Sequence, residues 1–94
     1  MLLGSKNKME KISELRQKID DVDLKILALF KQRVEICRTI GSMKKQLGLA
    51  IHDISRENFV YTQVAVRSKE LGLDFEKVDL IYHQIVNMCS AVQT

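Results

Sequence analysis

Between Ile12 and Leu47, the residues Ile12, Leu15, Ile19, Val22, Ile26, Leu29, Arg33, Ile36, Ile40, Met43 and Leu47 recur at alternating spacings of three and four. Only an α-helix gathers such a set on one side. All but Arg33 are apolar. The stripe predicts a helix of roughly 54 Å at ~1.5 Å per residue, against a diameter of ~25–30 Å for a compact domain of this size. The rest of the chain cannot cover it, so a second copy of the chain is expected along it. An arginine inside a shared apolar seam then needs an anionic partner.

The same periodicity sets out the remaining elements. The long helix is expected to start between Asn7 and Ile12, with Asn7 as a cap, leaving residues 1–8 as a frayed lead-in to a domain spanning 9–94. It runs into Lys44-Lys45-Gln46-Leu47-Gly48, where two lysines complement the negative end of the dipole and Gly48 can take the left-handed stop conformation. After a short loop, Asp53 or Ser55 caps a second helix with Val60, Val64 and Leu71 inward and Phe59 and Tyr61 flanking them. Gly72 ends that helix. Asp74 caps a third, with Glu76 in its first turn and Val78, Ile81, Ile85, Met88 and Val92 forming its apolar side. One long helix and two shorter ones do not close a bundle by themselves. The expected form is therefore all-α, an intertwined homodimeric helical bundle.

Composition supports that reading. The chain of 94 residues has no proline, four glycines and 46% hydrophobic residues, which suits helices joined by short connections. Its length is that of one domain, with no second regulatory domain expected beside it. Fifteen basic residues are offset by 12 acidic ones interspersed along the helices, and aromatics make up 5%. That is a solvated surface and not a nucleic-acid stripe. Cys37 and Cys89 fall within helical patterns and read as reduced, half-buried thiols, with no disulfide or metal spacing. No window approaches the ~18 apolar residues of a membrane span, and the start lacks the apolar run of a signal peptide. A cytoplasmic protein is expected.

Several charges do not fit a simple coiled coil. At ~100° per residue, Arg33 and Lys44 differ by about 20° in direction and ~16 Å along the axis, so both could reach one small anion from above and below. Arg16 lies ~25 Å from Arg33 on that axis, too far to join them, but an antiparallel second copy would carry its Arg16 toward this Arg33. Each charge alone has an ordinary explanation: Arg33 snorkels from the seam edge, and Arg16 pairs with Asp20. Together they fit less comfortably, because an unpaired buried charge costs several kcal/mol. In Asp53-Ile54-Ser55-Arg56-Glu57, Asp53 is explained as a cap and Glu57 by the helix dipole. Arg56 is the misfit, since a cation in the first turn opposes the dipole unless an anion binds it. His52 and His83 have no partner spacing for catalysis or metal binding, and Gln93 alone carries no signal.

The blocks Leu15–Asp20, Leu27–Arg33, Ile40–Lys45, Asp53–Glu57 and Ile85–Gln93, in this order and at these spacings, resemble the all-helical chorismate mutases of the AroQ type. The resemblance covers about residues 9–94. It implies an intertwined dimer with two equivalent sites that converts chorismate to prephenate by a Claisen rearrangement, without cofactor, in aromatic amino-acid biosynthesis. By that resemblance Arg33 binds one substrate carboxylate, Arg56 helps hold the charged end, and Arg16 comes from the other subunit. Lys44 and Gln93 donate to the ether oxygen, while Asp53 and Glu57 hold the ring hydroxyl. The chain departs from the family at Cys89, where a serine near the substrate carboxylate is common; a thiol is a weaker donor. Two other readings remain: an isochorismate-pyruvate lyase of the same fold, which the Asp53–Glu57 block disfavours, and a non-catalytic helical dimerisation module, against which the complete set of candidate residues stands.

Overall fold

Two glycines with φ of 69°, Gly48 and Gly72, end the first two helices. At each, the chain turns left-handed at no steric cost and closes a Schellman pair. Leu49 N–H donates to the Lys44 carbonyl at 2.8 Å and Gly48 N–H to Lys45 at 3.3 Å; Leu73 and Gly72 repeat the arrangement on Ser68 and Lys69 at 2.9 and 3.1 Å. At the other ends, the Asp53 side chain accepts from Arg56 N–H and the Asp74 side chain from Lys77 N–H. These caps fix the elements of the computed structural model: α1 (Leu2–Leu47), α2 (Ile54–Glu70) and α3 (Phe75–Ala91). It describes residues 2–94, with side chains from Asn7 onward. No strand occurs among the described residues.

Asp53, and not Ser55, is the cap of α2. The start of α1 differs from expectation: the helix begins at Leu2, so Asn7 lies inside it and is not a cap. Nothing in this stretch stops a helix from propagating, since proline is absent and a single glycine, Gly4, costs only ~1 kcal/mol. Met1, part of the expected lead-in, lies outside the described residues.

The chain divides into two units, residues 1–32 and residues 33–94. The first holds the N-terminal part of α1. The second holds the rest of α1 with α2 and α3, and α2 packs along α3. Its core is Ile85, Val86 and Cys89 of α3 with Ser68 of α2, all buried. Val60 and Val64 face inward and are half-buried, as do Val78 and Val92. Leu71, expected on the inner side of α2, is exposed instead, and Ile81 and Met88 of the apolar side of α3 are exposed in the single chain. Leu71 is the C-cap of α2, where the helix has already begun to turn away. On α3 the buried side is Ile85, Val86 and Cys89, one step around from the Ile81–Met88 line. Both lines share Ile85, and periodicity alone does not choose between them.

Candidate functional site

Within residues 33–94, three helical stretches present residues at spacings of three and four to a common space. Arg33, Ile36, Cys37, Ile40 and Lys44 come from α1. Asp53, Arg56, Glu57 and Val60 come from the start of α2, and Val86, Cys89, Ser90 and Gln93 from the end of α3 and the turn beyond it. With Ile51 of the connecting loop, they line a cavity of about 400 Å³. That volume is at the lower end of the range for small-molecule sites. Three cations and two carboxylates line it, among apolar side chains.

Lys44 is held at one end. Its Nζ donates to the Ile51 carbonyl at 2.6 Å and to Gln93 Oε1 at 2.9 Å. The Gln93 amide is fixed from its other side, Nε2 donating to the Cys89 carbonyl at 3.3 Å. An ammonium has three N–H donors and a primary amide two, so each group keeps one donor beyond these bonds. Two donors from different elements are thereby held side by side.

Arg33 is held by sulfur. Its Nη1 lies 2.6 Å from Cys89 Sγ and 3.9 Å from Cys37 Sγ. Thiols are weak acceptors, so a carboxylate entering the cavity would replace them on the guanidinium with little loss. Burial, the hydrogen bond with Cys89 and that neighbour's charge raise the Cys37 thiol above its ordinary pKa, against the lowering influence of Arg33 and Lys44. At neutral pH the Cys37 thiol is therefore uncharged and does not compete as an anion.

Arg56, the misfit of the α2 first turn, lines the cavity, and its guanidinium lies 5.1 Å from the centre of the Phe59 ring. Asp53 both caps α2 and lines the cavity. Glu57 Oε1 lies 3.5 Å from His52 Nδ1. His83 stacks on Tyr61 with ring centroids 4.0 Å apart and does not line the cavity. Burial, then Glu57 and Asp79, raise the Tyr61 pKa.

Seven of the candidates from the sequence, Arg33, Lys44, Asp53, Arg56, Glu57, Cys89 and Gln93, line this one cavity. Arg16 does not; it lies exposed on α1 within residues 1–32. Cys89 is buried, not half-buried, and touches Arg33. Two participants had not been singled out for the site. Cys37 stands one turn beyond Arg33 on the same side of α1, a spacing that was readable. Ile51 acts through its backbone carbonyl, for which its side chain gives no signal.

An all-helical cavity lined by Arg33 and Lys44 of one helix and by an Asp-x-x-Arg-Glu helix start has the charges to hold a small polyanion. The comparisons give the family. The profile of the chorismate mutase type II family matches residues 15–94. A chorismate mutase from Methanocaldococcus jannaschii is 36% identical over 78 residues, covering 83% of this chain and 78% of that one. The bifunctional chorismate mutase/prephenate dehydratase of Aquifex aeolicus is 33% identical over 88 residues, covering 90% of this chain but 24% of that longer protein. Among solved structures, a conserved hypothetical protein from Pyrococcus furiosus aligns with a TM-score of 0.70 at 33% identity, covering 89% of this chain and 96% of that one. The chain belongs to the chorismate mutase type II family.

Proposed function

We propose that this chain is a chorismate mutase, an isomerase of aromatic amino-acid biosynthesis that rearranges chorismate to prephenate within the cavity of residues 33–94. The observation that carries the reading is the Lys44–Gln93 pair, 2.9 Å apart and each with a donor to spare, in a cavity that also holds Arg33 and Arg56. Chorismate carries two carboxylates. As its carbon–oxygen bond opens, negative charge grows on the ether oxygen. No nucleophile and no proton transfer are needed. The site has to select the folded conformer and meet the developing charge with donors already in place.

The roles follow from that chemistry. Arg33 takes one carboxylate, exchanging its thiol partners for it, and Arg56 helps to hold the charged end. Lys44 and Gln93 direct their remaining donors at the ether oxygen, and Asp53 and Glu57 accept from the ring hydroxyl. Cys89 shapes the carboxylate subsite through Arg33 and does not donate strongly itself. The reaction as written uses no cofactor.

The same reading makes the enzyme a homodimer in which Arg16 of the second copy reaches the substrate. In support, Ile12, Leu15, Ile19, Val22, Ile26, Leu29, Ile36, Ile40, Met43 and Leu47 of α1 are 42% to 70% exposed, an apolar stripe of the kind that marks an interface. No helix among the described residues is long and apolar enough to cross a membrane, and we place the enzyme in the cytoplasm. The test is chorismate consumption by the purified protein with the product identified. Prephenate is expected. Unchanged chorismate, or pyruvate released from isochorismate instead, overturns the assignment.

A further inference from the structure

Gly41 is buried on α1 between Cys37 and Lys44. A Cβ built there would lie 2.7 Å from Gln93 Cα, 2.9 Å from its Cβ and 3.0 Å from its Cγ. Carbon atoms in contact sit ~3.5–4.0 Å apart. The two segments therefore meet backbone to backbone, closer than any side chain at position 41 allows. Gly41 belongs to an ordinary right-handed helix, and positive φ is confined to Gly48 and Gly72 among the described glycines. Its lack of a side chain is needed for this approach and not for a turn. Glycine inside a helix is otherwise disfavoured relative to alanine.

We propose that Gly41 is a positioning residue for Gln93: by letting the turn after α3 close onto α1, it sets the reach of the Gln93 amide to Lys44 and to the reacting oxygen. The inference rests on the assignment of Gln93 to the reaction made above. Gln93 lies two residues past the last residue of α3, Ala91, so it can be displaced without breaking that helix. Relieving a 2.7 Å contact to an ordinary separation needs a shift of ~1 Å, and a misplacement of that size can cost ~100-fold in rate. The Lys44–Gln93 hydrogen bond, now 2.9 Å, would stretch with it.

The experiment compares kcat and KM for chorismate in the parent, Gly41→Ala, Gln93→Ala and the double variant, each checked for helical content. Gly41→Ala is expected to lower kcat ~10- to 100-fold, with KM changed less than ~3-fold. On the Gln93→Ala background it should add nothing, since the amide it misplaces is already gone. A generally structural role for Gly41 would slow the double variant by the product of the two single effects, which overturns the proposal; so does a Gly41→Ala enzyme with parental kcat. If Gln93→Ala itself leaves kcat unchanged, the role of Gln93 has failed and the inference goes with it. Should Gly41→Ala not fold, Gln93→Asn reads the same placement with the backbone contact intact. One methylene shorter, it should also lower kcat ~10-fold or more, and parental kcat there refutes the proposal.

Discussion

Replacing Lys44 with alanine is expected to have the largest effect of any single substitution in the cavity. The ammonium is fixed by the Ile51 carbonyl at 2.6 Å and Gln93 Oε1 at 2.9 Å, which leaves one N–H donor for the ether oxygen. Removing one preorganised donor of this kind costs ~2.7–4 kcal/mol of barrier, or roughly 10²–10³ in kcat. Lys44→Ala also frees the Gln93 carbonyl oxygen, so the second donor loses its anchor, and the loss should fall at the upper end of that range. The fold should suffer far less. Two part-buried hydrogen bonds contribute ~0.5–1.5 kcal/mol each, and an alanine is a better helix former than lysine by a few tenths. Continuous measurement of chorismate disappearance, beside helical circular dichroism and a thermal melt, separates the two. Lys44→Arg keeps the charge but replaces a compact ammonium by a planar fork; it should recover less than a tenth of the activity. A folded Lys44→Ala enzyme with kcat within ~3-fold of the parent refutes the electrostatic role of this residue.

Arg33→Ala should raise KM ~10- to 100-fold, because a charge-assisted bond to a carboxylate contributes ~1.5–3 kcal/mol, with kcat changed less; an unaltered KM removes Arg33 from substrate binding. The kcat profile should be flat from about pH 6 to 8. The Gln93 amide has no proton to lose, and the Cys37 thiol, raised by burial and by Cys89, keeps its proton through that range. A steep change within it shows that another ionisation controls the step. Since folding raises the Cys37 pKa, the folded state holds that proton more tightly than the unfolded state. Its contribution to stability is therefore complete below the unfolded thiol pKa and is lost as pH rises through and above it, which Cys37→Ala should abolish in alkaline thermal melts. Finally, mixing inactive Arg16→Ala and Lys44→Ala chains should restore activity. A hybrid dimer would have one site with its own Lys44 and the other chain's Arg16, so random exchange should give about one quarter of parental activity. No recovery after verified exchange would place both residues in one chain's site, or leave Arg16 outside it.

The helix ends were the most legible part of the fold, and the reason is local. Asp53, Asp74, Gly48 and Gly72 act on backbone groups within five residues, and each does in the structure what its chemistry predicts. The inner faces were less legible. Leu71, Ile81 and Met88 satisfy a helical period yet are exposed. The period alone does not choose between the two apolar lines of α3; packing against α2 and the contact of Cys89 with Arg33 of α1 do. The site was legible where charges contradicted their surroundings. Arg33 in an apolar stripe and Arg56 against a dipole pointed to the cavity that both line. Gln93 carried no such contradiction and came only with the family resemblance. The Ile51 carbonyl and the Gly41–Gln93 approach are backbone features that residue types do not announce.

The partners that hold the cavity's donors explain how one arrangement can be both ready and available. Had Arg33 and Lys44 been held by carboxylates, substrate binding would have to break charge-assisted bonds before making new ones. Here the groups touching them are two cysteine sulfurs, a carbonyl and an amide oxygen, none of them a carboxylate. Partners of this kind fix position without a carboxylate's competing charge, which on the proposed reading favours a dianion entering and negative charge growing within the cavity. The raised Cys37 pKa is part of the same design, since a thiolate at that point would neutralise Arg33. The carboxylates that do line the space, Asp53 and Glu57, are placed on α2, and the Asp53 side chain accepts a backbone N–H there. Substituting Cys89 with aspartate would test the logic from the opposite direction. It would give Arg33 a permanent anionic partner, and on this argument it should weaken substrate binding more than Cys89→Ala, although aspartate is the better hydrogen-bonding group.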